Sequence, residues 1–226
     1  MEGIYPDEIT TFAAVVLYGV PVAVAVLSYL LGCVNGAIAT SHLCYHDDVR
    51  RHGSGNAGLT NFYRTYGAKC ALMVIAFDML KALGAVWLGG RFLGVLLGWG
   101  VAGKYFAALF CVIGHIFPAF YSFRGGKGIL CSGTLLLLLD WRIAAVGWGL
   151  FLILWLTTRY VSLGSVTGAV SFPITTAIFY WGSWAVVALS VLIAGLVVWA
   201  HRANIDRLLR GTESKFQWHK NAPGQP

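Results

Sequence analysis

From residue 12 to residue 200 the chain is a succession of long apolar runs separated by short polar gaps. A backbone made this way can hydrogen-bond itself throughout only as lipid-spanning helices. A hydrocarbon core of about 30 Å takes roughly 20 mostly apolar residues per helix, and somewhat fewer where a helix end is buried in protein. Seven runs qualify, at residues 12–38, 68–89, 93–113, 129–139, 143–156, 164–181 and 184–200, the fourth and fifth being short. Composition agrees: 58% of the 226 residues are hydrophobic and only 11% charged, with a mean hydropathy of +0.72. Glycine occurs 28 times, spread through these runs as expected where small residues let membrane helices pack closely. No linker rich in Pro, Gly or Ser interrupts them, so the expectation is one all-α, polytopic membrane domain covering residues 1–226.

The positive charges set the topology. With seven crossings, alternate loops put Arg50, Arg51, Arg64, Lys69, Arg124, Lys127, Arg159, Arg202, Arg207, Arg210, Lys215 and Lys220 on one side, and only Arg91 and Arg142 on the other. The positive-inside rule then places the N-terminus outside and the C-terminus in the cytoplasm. Glu2, Asp7 and Glu8 open the chain without a basic residue, unlike a cleaved signal peptide, so the first helix is expected to stay. The net charge of +7 follows from the same asymmetry and from attraction to anionic headgroups.

Three polar islands fall on that basic side: GSGNAGLTNFYR at residues 53–64, HIFPAFYSFRGGKG at 115–128 and HRANIDRLLRGTESK at 201–215. Each joins glycines or small polar side chains to Arg or Lys, the combination that holds phosphate. In the first, Gly53, Gly55 and Gly58 free the backbone to form an anion-binding concavity. Ser54, Asn56, Thr60 and Asn61 add neutral hydrogen-bonding groups, and Arg64 adds a planar fork. Residues 60–64 are expected to begin the helical lead-in to the second membrane run. The plainer alternative is a glycine turn at a membrane surface.

In the second island Gly125, Gly126, Lys127 and Gly128 stand directly before an apolar helix. The pattern differs from a nucleotide-binding Walker loop, because Gly128 replaces the hydroxyl residue after the lysine and no strand precedes it. A lysine at a helix N-terminus is nevertheless a good point charge for phosphate. His115 is a substrate-binding candidate, although a histidine in this position is more often a helix-end hydrogen bonder than a catalyst. In the third island His201 and Asn204 share a helical face with Arg202 beside it, and these three are read as site residues. Arg207 and Arg210 are read as topological charge.

Several features stand apart from these islands. Asp78 and Lys81 lie three apart inside the second run, where an ion pair signals either function or a bundle contact. Lys104 has no evident partner, and Asn35 either locks a helix interface or lines the site. The cysteines, Cys33, Cys44, Cys70, Cys111 and Cys131, have no metal-site or disulfide spacing and are read as reduced packing residues. His42 and Asp47 satisfy an H-x4-D spacing used by some thioester-dependent acyltransferases, but the second phosphate motif of that class does not follow.

Taken together, the three islands resemble the bacterial acyl-phosphate:glycerol-3-phosphate acyltransferase family, often called PlsY. That family shows G-S-G-N-x-G-x-T-N-x-x-R, then G-H-x-F-P-x-F-x-x-F-x-G-G-K-G, then H-R-x-N-x-x-R-L-x-x-G-x-E-x-K, matched here in register and order. One departure is Ile129-Leu130-Cys131 where the family usually has Val-Ala-Thr. The resemblance implies a seven-helix membrane enzyme that makes lysophosphatidic acid from acyl phosphate and sn-glycerol 3-phosphate. It also implies a multi-pass location in the bacterial cell membrane with the site facing the cytoplasm.

Both substrates are phosphate anions, so fixed cations must offset their repulsion. Ser54, Arg64, Lys127, His201 and Asn204 are the candidate catalytic residues. Gly53, Gly55, Asn56, Gly58, Thr60, Asn61, His115, Gly125, Gly126, Gly128 and Arg202 are the candidate substrate-binding residues. An acyl phosphate is already activated, so direct transfer is expected, with Ser54 binding phosphate and the substrate phosphate or His201 taking the proton. No cofactor, metal or nucleic acid is expected. The partners are glycerol 3-phosphate, acyl phosphate, membrane lipid and, as a candidate, the enzyme that supplies acyl phosphate. The main rival is an organic-anion transporter, which predicts related halves or interrupted helices that the sequence does not display.

Overall fold

The structure, a computed structural model, describes residues 10, 11 and 13–216. Glu2, Asp7, Glu8 and Lys220, used above for topology, lie outside the described residues, as does residue 12 at the start of the first run. Among the described residues there are helices and connecting turns and no strands. The main helices are α1 (Val20–Cys33), preceded by a π-helical turn Val15–Gly19, then α2 (Gly36–Tyr45), α3 (Leu59–Tyr66) and α4 (Ala71–Leu88). They continue with α5 (Val101–Ile116), α6 (Ile129–Leu139), α7 (Trp141–Thr158), α8 (Val161–Phe179), α9 (Trp184–Ala200) and α10 (Arg202–Leu209).

Among the described residues five helical stretches are long and apolar enough to cross a bilayer: Val15–Cys33, Ala71–Leu96, Val101–Tyr121, Trp141–Thr158 and Val161–Phe179. A sixth arises if α9 and α10, which meet at a 59° bend, form one broken span. The α6 helix is apolar but only 11 residues long. Large apolar side chains such as Leu72, Leu80, Trp87, Ile153 and Ile178 stand on the outside, the pattern of a surface made for lipid.

Several boundaries differ from the sequence expectation. The run at 12–38 is not one helix. It stops at Cys33, Val34 turns extended (φ −71°, ψ 91°), and Asn35 starts α2 by accepting the Ile38 N–H at 3.0 Å. A side-chain cap at Asn35 satisfies the new helix start better than an uninterrupted apolar pattern would suggest. The runs at 68–89 and 93–113 also divide elsewhere. The α4 helix continues through the π-helical segment Gly89–Leu96, and the chain reverses at Gly98 (φ 70°) and Gly100 (φ 55°), where only glycine turns without strain. Arg91 is therefore on a helix end and not in a loop. Lys104 runs its aliphatic stem along Gly90. The expected lead-in at 60–64 is a separate short helix, α3, ended by Gly67 at φ 77°.

Close backbone approach holds the centre together. A Cβ on Gly32 of α1 would sit 2.2 Å from the Cys111 carbonyl oxygen of α5, and one on Gly114 would sit 2.1 Å from the Tyr29 oxygen. The two helices thus cross backbone to backbone, as small residues permit where apolar transfer drives nothing between helices. Tyr105 of α5, fully buried, stacks on Phe172 of α8 at 5.8 Å and ties that crossing to the α8–α9 half.

Alternate helix ends gather the polar islands at one end of the bundle. The ends of α1, α5, α7 and α9 meet the starts of α4, α6 and α8 there. The opposite end carries the glycine reversal, the Asp140 cap of α7 and the turn before Ser183.

Candidate active site

The islands converge on one cavity of about 740 Å³. From the first island it is lined by Ser54, Asn56, Gly58, Thr60, Asn61 and Arg64. His115 and Lys127 come from the second, and His201, Asn204, Arg207 and Glu213 from the third. The Ile129 end of α6 opens onto it, so first-turn amides that no helix carbonyl can accept face the space.

A connected network organises the polar wall. Lys127 Nζ donates to Asn204 Oδ1. The Asn204 amide donates to Glu213 Oε1 at 2.7 Å, and the Ser162 hydroxyl donates to the same oxygen at 2.7 Å. Arg207 Nε donates to Glu213 Oε2 at 2.6 Å. Arg64 reaches the Ser214 hydroxyl at 3.4 Å. Among the described residues Arg64, Lys127 and Arg207 thus oppose Glu213 alone, since the other carboxylate in the cavity, Asp78, is paired with Lys81 at 2.8 Å. Three positive charges against one leave two in excess, which is what a dianionic ligand requires.

Burial pushes the Lys127 ammonium down to about 8, with Arg207 and Arg64 adding to the effect and Glu213 opposing it. Burial pushes the Glu213 carboxyl up, but hydrogen bonds from Asn204, Ser162 and Arg207 outweigh it and hold the group below its ordinary value.

His201 sits at the α9–α10 bend and is 3% exposed. Its Nδ1 lies 2.8 Å from the Val197 carbonyl oxygen, which can only accept, so Nδ1 carries the proton and Nε2 is left as a bare acceptor.

The glycines do something other than expected. Four of their N–H groups are turned into the fold and not toward a phosphate: Gly55 donates to His52 O, Gly58 to Asn56 O, Gly125 to Ile116 O and Gly126 to His115 O. Gly126 is instead a wedge, since a Cβ there would lie 2.3 Å from the Ala57 oxygen and 2.5 Å from His115 Nε2. It locks the second island onto the first. Asn61 is likewise committed to scaffolding, donating to Val49 O and His52 O at 3.0 Å and accepting the Ser54 N–H at 2.9 Å. Its contacts shape the loop that Gly53 (φ 56°) enters.

Arg202 is not brought to the site. It lies over the Trp199 ring at 4.0 Å and donates to the Trp199 oxygen, because the bend turns it outward. Arg207, read from sequence as topological charge, takes its place on the Asn204 face, while Arg210 remains an exposed partner of Asp206 at 2.9 Å. The sequence does not single out Ser162, Ser165 or Glu213, which the fold brings to the cavity. The hydroxyls at 162 and 165 share a helix face, but the expected run began at 164 and left Ser162 in a loop. Glu213 was legible only as an acid within a basic motif. His42 and Asp47 do not pair: Asp47 accepts from Tyr66 at 2.8 Å and contacts His52 at 2.6 Å.

A helical membrane bundle with a cationic cavity at one end, bordering an apolar groove, has the parts of an integral membrane enzyme that handles an anion at the edge of the bilayer. The profile of the glycerol-3-phosphate acyltransferase family matches residues 22–211, and the chain belongs to that family. A glycerol-3-phosphate acyltransferase of Thermoanaerobacter sp. (strain X514) is 40% identical over 195 residues, covering 86% of this chain and 95% of the relative. One from Rhizobium etli is 38% identical over 202 residues, covering 87% and 92%.

Among solved structures the chain is similar to the crystal structure of PlsY (YgiH), an integral membrane glycerol 3-phosphate acyltransferase. Its glycerol 3-phosphate form superposes with a TM-score of 0.76 at 30% identity, covering 87% of this chain and 96% of that one. The lysophosphatidic acid form gives 0.73 at 29% identity, covering 87% and 95%. The chain is accordingly a multi-pass membrane glycerol-3-phosphate acyltransferase, and the transporter alternative falls away.

Proposed function

We propose that the enzyme transfers a fatty acyl group from acyl phosphate to sn-glycerol 3-phosphate within the cavity described above, releasing lysophosphatidic acid and inorganic phosphate. The observation that carries this is the meeting of Arg64, Lys127 and Arg207 in one space with the bare Nε2 of His201. Arg64 and Lys127 bind the substrate phosphates and offset their mutual repulsion. Thr60, Asn56 and Asn204 orient the glycerol phosphate. The glycerol hydroxyl attacks the acyl carbonyl, its proton passes to His201 Nε2, and the tetrahedral intermediate collapses by breaking the carbonyl carbon to phosphate oxygen bond.

No acyl-enzyme is needed. Ser54 is exposed, and among the described residues its hydroxyl has no base as a partner, so it serves as a phosphate hydrogen bonder. The acyl chain lies in the apolar groove between α6, α7, α8 and α9, which shares Ile129, Trp148, Phe151 and Ser165 with the cavity. One domain crosses the membrane seven times, counting α6 and α9, with the N-terminus outside and the site facing the cytoplasm of a bacterial cell. The gathering of the basic islands at one end of the bundle supports that orientation.

The test is to incubate purified protein with acyl phosphate and follow inorganic phosphate with and without glycerol 3-phosphate. Release that requires glycerol 3-phosphate and yields lysophosphatidic acid is expected. Release independent of it, or an acyl ester trapped on Ser54, would overturn the mechanism.

A further inference from the structure

Between the cavity and the bundle centre lies a buried ionic cluster that the transfer mechanism leaves unused. Asp78 and Lys81 of α4 are 2% and 3% exposed and His115 of α5 is 2% exposed. Lys81 Nζ has four acceptors around it: His115 Nδ1 at 2.6 Å, Asp78 Oδ1 at 2.8 Å, Val34 O at 3.0 Å and Gly32 O at 3.4 Å. Its three protons are taken by the nearest three. An ammonium held against a carboxylate has no lone pair to offer, so His115 Nδ1 must accept and the ring proton stands on Nε2.

Nε2 is on the opposite edge of the ring, against Gly126, and His115 lines the cavity. Among the described residues Nε2 has no protein acceptor. An N–H of a cavity-lining histidine that shares the space with Lys127 and has no protein partner among the described residues is set to meet a ligand oxygen.

We propose that Asp78 and Lys81 are positioning residues for the phosphate site: together they fix His115 in its Nε2–H form, so that it donates to a substrate phosphate oxygen seated in the cavity beside Lys127. The inference rests on the function proposed above and deepens it, by placing a neutral donor beside the cations and naming what holds it. Asp78 adds a second constraint, accepting the Gly36 N–H at 3.2 Å and so fixing the start of α2, whose Asn35 cap also donates to Ala57 O at 3.1 Å. The carbonyl that Asn35 holds is the one Gly126 packs against. Donor, loop and helix break are therefore set by one pair of charges. A pair serving only to join helices would have no reason to spend an ammonium proton on the inner ring nitrogen of a cavity-lining histidine.

The first measurement is the tautomer. Protein labelled with ¹⁵N-histidine in detergent, with His115 assigned by difference from His115→Gln, is expected to show His115 neutral and protonated on Nε2 without substrate. Protonation on Nδ1 would overturn the proposal whatever the activity.

The second is kinetic. Asp78→Asn with Lys81→Met removes both charges at once, leaves an amide oxygen for Gly36, and avoids an unpaired buried ion, so the bundle is retained. Its His115 should lose the single tautomer, and KM for glycerol 3-phosphate should rise roughly tenfold with kcat changed less than about threefold, the range for weakening a hydrogen bond to a charged group. His115→Gln places an N–H where Nε2 was, without needing Lys81. Adding the double substitution to that background should change KM little. Full additivity of the two effects would show that the pair does not act through His115. Wild-type phosphate release independent of glycerol 3-phosphate would instead strike the parent reading, while the tautomer measurement stands apart from it.

Discussion

The tightest mechanical test of the site is Gly126→Ala. An alanine Cβ at this position would stand 2.3 Å from the Ala57 oxygen and 2.5 Å from His115 Nε2, whereas real Cβ contacts begin at 3.0 Å and are ordinary from 3.4 Å. The loop must therefore move by about 0.7 to 1.1 Å away from Ala57 (3.0 or 3.4 less 2.3). Ala57 cannot yield instead, because its atom is backbone, the residue is fully buried, and Asn35 holds the oxygen at 3.1 Å. The adjacent Lys127 is carried with the loop, which disturbs its hydrogen bond to Asn204.

A misplacement near 1 Å in a positioned charge lowers kcat/KM by about 100-fold, equivalent to about 2.7 kcal/mol, while overpacking lowers stability by about 1 to 3 kcal/mol. Phosphate release with varied glycerol 3-phosphate measures the first and thermal unfolding in detergent the second. Gly149→Ala, where nothing lies within 4 Å of the new methyl, is the control and should leave both near wild type. A Gly126→Ala enzyme within about threefold of wild type would refute the wedge, since about 0.7 kcal/mol is too little for the shift the geometry demands.

The remaining predictions concern charge and proton transfer. Because the Lys127 ammonium is pushed down to about 8, raising the pH through that value discharges the unliganded site, so KM for glycerol 3-phosphate should climb above about pH 8. Lys127→Arg, which does not titrate there, should abolish the climb, and an unchanged pH profile would separate Lys127 from phosphate binding. His201→Asn keeps a donor to Val197 O and removes Nε2. It should lower kcat by about 100-fold or more with KM little changed, and a rate within threefold would make the substrate phosphate the proton acceptor. Arg202→Ala should stay within about twofold of wild type, whereas Arg207→Ala, which releases Glu213 from its 2.6 Å partner, should raise KM at least tenfold. The reverse order would restore the sequence reading of the third island.

Properties carried by neighbouring residues were legible before the fold was known. Apolar runs mark bilayer helices because the cost of an exposed peptide in lipid is local to each segment. The helix at Ile129–Leu139 and the one at Trp184–Ala200 fall where the hydropathy puts them. The three islands read as anion sites because glycine, amide and cation stand side by side in the chain, and their motifs placed the family.

What the tertiary structure decided are matters whose partners lie far away in sequence. The break at Val34 depends on Asn35 reaching Ala57, and the wedge at Gly126 depends on the same carbonyl. The exchange of Arg202 for Arg207 follows from the 59° bend at His201, invisible in a pattern that continues helically on both sides. Lys81 meets His115 across 34 residues and Lys127 meets Asn204 across 77. In an apolar bundle each such polar group must find a partner or a ligand. Which partner it finds is set by helix packing, and that is a property of the assembled chain and not of any window within it.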